Sequence, residues 1–297
     1  MVSKFYEVQS NNNSYYVIVS IDDDDVTHIS FGGKINGCIL ITIKNNIGIL
    51  ERVSYDERCN ISGTMLRSYG TITMVKTALV FTFNTYTDLK QIQFQDHSFI
   101  NCKGTDLLLP PLYITLYGET WYEQKYNARL LNIKGYTNIN KYLEHIKNKP
   151  KWNVLWSFIH RTISNEDINT KISIKSIWKD TTSFKDMITY MKSHNKCELF
   201  MKWLNIYFIY YTKINILDEI YYINRDNKLL HTDIIIHKTE ITNPYIKSLN
   251  TRQTKQKELS SDVFSNFIPR NSQKYGGTMY TFGKNVSFTN LVNDNII

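Results

Sequence analysis

Apolar, β-branched runs of strand length occupy 14–21 (SYYVIVSI) and 37–43 (GCILITI), and polar and apolar positions alternate through 47–55 (IGILERVSY). Bounded by Asn, Asp and Gly, these runs predict strands. Asn45-Asn46 predicts the turn between the last two, and together they suggest an antiparallel meander. Between the first two, Asp22 to Asp25 lack the alternating ligand spacing and fixed glycine of a calcium loop, so they read as a solvated turn. Gly32-Gly33 marks a second turn. After Gly63 and Gly70 the period lengthens. Ile72, Val75, Leu79, Phe83 and Tyr86 recur every three to four residues, which predicts an amphipathic helix capped by Ser68 or Thr71. Residues 89–94 (LKQIQF) return to a strand that ends at Asp96-His97-Ser98. A strand–helix–strand unit of this length crosses over between parallel neighbours.

From 107 to 131 the pattern is helical, interrupted at Gly118, with Pro110 and Pro111 suited to a first turn. Trp121, Tyr122, Tyr126 and Leu130 form an apolar stripe for core packing. Further helices are predicted at 139–148, 152–163, 183–193 and 197–212, with an extended stretch at 170–178 (TKISIKSIW). The apolar runs 219–224 and 229–236 flank Asn224-Arg225-Asp226-Asn227, which reads as a hairpin turn. Apolar density falls from 245 to 297, as expected of an extended, partly disordered tail. The chain is therefore expected to be α+β: a mixed, mainly antiparallel sheet with a strand–helix–strand crossover, then a mainly helical C-terminal half. The expected units are an α/β domain at 1–135, a mainly helical domain or subdomain at 136–244, and the tail.

Composition narrows the class. With 297 residues, 42% hydrophobic and 21% charged, the chain has the makings of a folded core. The abundance of Ile, Asn, Lys and Tyr fits an AT-rich genome, such as that of a large DNA virus or a protist. The formal charge of +8 suits an anionic partner. No block of five or more basic residues occurs, however, so nucleic acid is the lesser expectation. Cys38, Cys59, Cys102 and Cys197 are spread singly, without CxxC or paired His spacing. They read as buried thiols of a reducing compartment, with no metal site. The first residues lack the pattern of a secretory signal, and the apolar run 199–211 contains Lys202 and Asn205 and is too short to span a bilayer. A soluble protein of the cytoplasm (or of a virion, if viral) is expected.

Few constellations carry chemistry. The seven histidines never fall at i, i+4 around a Glu, and no nucleophile elbow, Walker loop or dinucleotide turn occurs. Asp96-His97-Ser98 holds triad residue types, but a triad needs spatial convergence. The region 48–118 is richer. A strand is followed by Arg67-Ser68-Tyr69-Gly70, a helix, a second strand, and a helix holding Tyr113 and Tyr117 before Gly118. This order resembles the core of the GNAT family of N-acetyltransferases. There, a loop of the form Arg/Gln-x-x-Gly-x-Gly/Ala opens a helix whose amides hold the cofactor diphosphate. Arg67 and Gly70 match its first and fourth places, and Ile72 stands at the sixth. Leu112-Tyr113 before Gly118 is similar to a Leu-Tyr pair of that family, with Glu119 where Phe is usual.

The resemblance implies acetyl-CoA as cofactor, held by Arg67, Ser68, Tyr69, Gly70 and Thr71, and an amine-bearing small molecule or protein as acceptor. It implies Tyr113 or Tyr117 as the acid that protonates the leaving thiolate, and Glu51 or Glu57 as the acceptor of the amine proton, with no metal. A relative that has lost catalysis would only bind the cofactor. The competing expectation is a non-enzymatic structural or assembly protein that docks a protein partner through the sparse aromatics of 245–297.

Overall fold

The computed structural model describes residues 2–33, 37–63, 69–102, 105–162, 168–231 and 234–244. The tail expected at 245–297, and the partner contacts assigned to it, lie outside the described residues. Five antiparallel strands open the chain: β1 (Val2–Ser10), β2 (Asn13–Ile21), β3 (Thr27–Gly32), β4 (Gly37–Lys44) and β5 (Ile47–Val53). The pattern identified β2, β4 and β5, but β1 and β3 went unassigned. Their polar alternate positions, as in Lys4 and Glu7 or His28 and Ser30, dilute the apolar run on which the reading relied. The Asp22–Asp25 turn closes on itself, because Asp22 Oδ1 accepts the amides of Asp24 and Val26 at 3.0 and 2.9 Å.

Helix α1 (Tyr69–Thr85) then leads to β6 (Gln91–Gln95), which pairs with β5 in parallel. α1 is buried over most of its circumference. Met74, Val75, Leu79, Phe81 and Phe83 are almost wholly enclosed. Phe81 meets Tyr6 and Phe31 of the sheet at ring-centroid distances of 5.7 and 6.4 Å. Its buried threonines satisfy their hydroxyls inside the helix, Thr77 on the Thr73 carbonyl and Thr82 on the Ala78 carbonyl, each at 2.8 Å. Gly48 lies opposite Ile92 in the parallel register. A Cβ there would stand 2.8 Å from the Ile92 side chain, so β5 and β6 approach this closely only with glycine at that position.

The chain continues through a small hairpin, β7 (Phe99–Cys102) with β8 (Thr105–Leu108), then α2 (Leu109–Tyr117), α3 (Trp121–Tyr126) and the two-residue β9 (Arg129–Leu130). Five helices follow: α4 (Ile133–Ile146), α5 (Trp152–Thr162), α6 (Ile168–Asp180), α7 (Phe184–Ser193) and α8 (Met201–Thr212). Thr120 with Glu123 and Ser183 with Asp186 form capping boxes that start α3 and α7.

Two expectations are overturned in this half. Residues 170–178 are helical within α6, not extended. The residues that pack are Ile174 and Ile177, three apart, while Ile172 is 61% exposed, so helical spacing decides which face is buried. The apolar runs near 219–236 do not form a hairpin either. β10 (Ile220–Asn224) pairs with β6 and β9, a short α9 (Lys228–His231) follows, and β11 (Ile236–Ile241) pairs with β1. The turn after β10 is held elsewhere. The Arg225 amide donates to the Lys90 carbonyl at 2.9 Å, and its guanidinium donates to the Leu89 carbonyl at 2.9 Å and to the Tyr86 carbonyl.

The result is a nine-stranded sheet in the order β11-β1-β2-β3-β4-β5-β6-β10-β9, antiparallel at every neighbour except β5 and β6. The architecture is α+β with a large mixed, mostly antiparallel sheet. No helix among the described residues is long and apolar enough to cross a membrane.

The cysteines correct the reading of the sequence. Cys38, at the start of β4, is disulfide-bonded to Cys59 in a one-turn helix at Glu57–Cys59, with Cα atoms 6.1 Å apart. Cys197 is disulfide-bonded as well. Single spacing hid the pairing because Cys38 and Cys59, 21 positions apart, are brought together by the chain folding back through β5. Gly33 permits the close contact. A Cβ there would fall 1.6 Å from the Arg58 carbonyl oxygen.

Candidate functional site

The one parallel pair in the sheet is also its least complete. β5 and β6 are in register only at Ile47–Gln91, Gly48–Ile92 and Ile49–Gln93. Beyond that, β5 runs on to Val53 along β4, and β6 runs on to Gln95 along β10. Ladder pairing between the two strands ends there, at their carboxyl ends. The β4–β5 ladder is disturbed at the same level. Leu40 faces Arg52 while Ile41 faces Leu50, which leaves Glu51 as the extra residue of a bulge. In sheets with parallel neighbours, the crevice outside the carboxyl ends of the strands is the usual place for a ligand.

Glu51 is half-buried at this point and accepts a hydrogen bond from the Thr42 hydroxyl at 2.7 Å. Arg52 follows it. Its guanidinium donates to the Gly37 carbonyl at 2.9 Å, while Nε is buried without a partner. Burial pushes the Arg52 pKa down, against the favourable charge of Glu51. Across the gap, just past β6, Asp96 is wholly buried. One carboxylate oxygen accepts the Ser98 amide at 3.0 Å and the Ser98 hydroxyl; the other, Oδ2, has no partner. Burial raises the Asp96 carboxyl to about 6, opposed by the two Ser98 bonds. The adjoining tyrosines 122 and 221 are buried too, which raises their pKa values well above the ordinary one. Neither Arg52 nor Asp96 stands out in the sequence as a site residue. The signals were a charged residue inside an alternating strand and a carboxylate closing an apolar strand.

The residues named from the sequence are placed as follows. Arg67 and Ser68 lie outside the described residues, as does the side chain of Tyr69. Gly70 is buried and Thr71 half-buried in the first turn of α1, whose chain direction follows β5 and precedes β6. Ile72 is half-buried and packs on the apolar core. Glu57 is exposed on the disulfide-bonded turn. Tyr113 and Tyr117 lie together on α2, ring centroids 5.0 Å apart, and the Tyr117 hydroxyl accepts a hydrogen bond from Lys192 of α7 at 2.5 Å. Burial raises the Tyr113 pKa, with Lys192 opposing. No hydrogen bond joins either tyrosine to Glu51. Asp96, His97 and Ser98 do not act together, since His97 Nε2 meets Gln95 Oε1 at 3.3 Å while Asp96 bonds Ser98. A polar depression of about 310 Å³ lies elsewhere, between β9 and the turn after β10, lined by residues including Arg129, Tyr222, Asp226 and Lys228. Among the described residues, no group of three or more His, Cys, Asp or Glu side chains is placed to hold a metal ion.

Comparison with protein families, with curated proteins and with solved structures finds no match for this chain.

Proposed function

We propose that the chain is an acyl-CoA-dependent N-acyltransferase of GNAT-like type, acting in the gap between β5 and β6. The observation that carries the reading is the end of pairing between these two parallel strands after Ile49 and Gln93, with the Glu51 bulge at the same level. Three features of one site are thereby supplied. Backbone groups of Leu50–Val53 on the β6 side are left for a ligand, including an N–H to polarise a thioester carbonyl. The start of α1, at Gly70 and Thr71, would turn the amides and partial positive charge of a helix N-terminus to a diphosphate. Glu51 supplies a carboxylate beside the gap.

In the step itself, the amine nitrogen attacks the thioester carbon, and the oxyanion is held by the strand amide. The C–S bond breaks, the thiolate leaves and takes a proton, and the ammonium proton passes to Glu51, directly or through water. A tyrosine of α2 as the acid requires α2 to border the bound thiol. The acceptor is an amine-bearing small molecule or protein. Disulfide-bonded cysteines favour an oxidising compartment over the reducing cytoplasm expected from their spacing.

Acetyl-CoA at a hundredfold excess over its dissociation constant adds about 2.7 kcal/mol to stability, a rise in melting temperature of several degrees. Thr71→Asp favours the helix start but repels phosphate, and is expected to abolish the shift without lowering the unliganded melting temperature. Glu51→Gln is expected to keep the shift and lose thiol release with amine acceptors. No shift for the wild type at millimolar acetyl-CoA sinks the proposal. A shift without turnover on any amine leaves only a cofactor binder.

A further inference from the structure

Outside this gap, the helices α5 and α6 carry an aromatic and cationic surface that the sequence disperses. Trp152 and Trp156, one turn apart on α5, stack at 5.7 Å with 20° between planes. Lys171 and Lys175, one turn apart on α6, place their ammonium groups over these rings, Lys171 above Trp156 at 5.0 Å and Lys175 above Trp152 at 5.9 Å. Trp178 extends the cluster, 5.8 Å from Trp152, but its indole N–H is committed to the Pro150 carbonyl at 2.9 Å. Lys149 lies over Trp178 and is likewise committed, donating to the Thr181 carbonyl at 2.6 Å. That end is structural; Trp152 and Trp156 are themselves half-buried against the apolar core, with the rest of each ring open to solvent. Beyond them the exposed Arg161 adds a further positive charge. α5 contains no carboxylate, and α6 has only Asp180 at its last position.

We infer that this face binds single-stranded nucleic acid, independently of acyl transfer. Two indoles and two lysines repeat at a four-residue interval, about 6 Å along a helix, giving two equivalent units in series. A base inserted over each indole keeps the ring covered and turns the lysine toward the neighbouring phosphate. Base–aromatic stacking beside a cationic track is how single strands are held without sequence preference. A duplex offers the same phosphates with its bases already stacked, so it gains nothing from the indoles. The charge of the two helices fits a polyanion.

The test uses the full chain and a fluorescein-labelled oligo(dT) of twenty nucleotides at 50 mM salt, read by anisotropy and by quenching of tryptophan emission. Binding is expected, with quenching, and at least tenfold tighter than for a duplex of equal length. Lys171→Glu with Lys175→Glu, both in side chains on the helix surface, is expected to weaken it at least tenfold. The salt slope should fall by roughly one, near the value for two lost phosphate contacts on a single strand. Trp156→Phe should retain binding and Trp156→Leu lose most of it, with the melting transition showing that both variants remain folded. The inference is overturned by absence of binding, by equal affinity for the duplex, or by indifference to the lysine reversals. It is also overturned if vesicles of phosphatidylserine and phosphatidylcholine bind and the oligonucleotide does not.

Discussion

Replacing Asp96 by Asn isolates the cost of one buried carboxylate. Oδ1 already accepts both Ser98 bonds, and Asn retains an oxygen there. Oδ2, which has no partner, becomes a neutral amide nitrogen. The carboxyl moves from an ordinary 3.8 to about 6 in the fold. A pKa raised on folding means the native state holds the proton more tightly. The stability from that proton is fully present below 3.8 and is lost as pH rises through 6. Two units correspond to about 3 kcal/mol. Urea unfolding followed by circular dichroism at pH 4.5, 6 and 7.5 should therefore show the wild type losing about 2 to 3 kcal/mol relative to Asp96→Asn across that range. At pH 7.5 the variant should be the more stable. Because the comparison is between two proteins at each pH, other titrating groups cancel. If the wild type gains on the variant as pH rises, Asp96 is ionised and paired in the native protein, and the reasoning fails.

Two further outcomes follow from the same geometry. Breaking the Cys38–Cys59 bond by Cys38→Ser should lower stability by about 3 kcal/mol, the loop-closure value for a ring of some twenty residues; urea midpoints give the loss, and non-reducing peptide mapping should show the linked peptide. His145, stacked on Tyr211 at 3.9 Å and bonded to the Tyr207 hydroxyl at 3.0 Å, has its pKa lowered by burial. Its contribution is therefore present above the ordinary 6.5 and lost as pH falls, and its NMR titration midpoint should lie below that value.

Much of the fold was legible where one period dominates. The run Ile72–Tyr86 is helical because apolar residues recur at helical spacing, whereas the start of α3, marked by Thr120 with Glu123, went unread. The reading failed where pattern and pairing are separable. β10 was visible as an apolar run, but the run 229–236 covers α9 and stops where β11 begins, and nothing local specifies that β10 joins β6 or that the polar β11 joins β1. In α6, Ile172 and Ile174 alternate like a strand, and only packing against neighbouring helices shows that Ile177 is the true companion of Ile174. The candidate site was half legible. Glu51 and the start of α1 follow from the order of elements, but a bulge is a property of two strands at once. The orphaned atoms of Arg52 and Asp96 are consequences of burial, which the residues themselves do not declare. The disulfide escaped notice for a related reason, since it depends on β5 returning the chain to β4.

The strand order carries a consequence for synthesis. β1 is made before every other strand of the sheet, yet its outer neighbour β11 ends only at Ile241, and the free side of β6 waits for β10. At about 5–20 residues per second, the nascent meander spends ten seconds or more with unsatisfied hydrogen-bonding rows on both flanks. Such open rows invite pairing with other chains. The last strands thus act as late-arriving seals, and the N-terminal two thirds depend on them for protection as much as for packing.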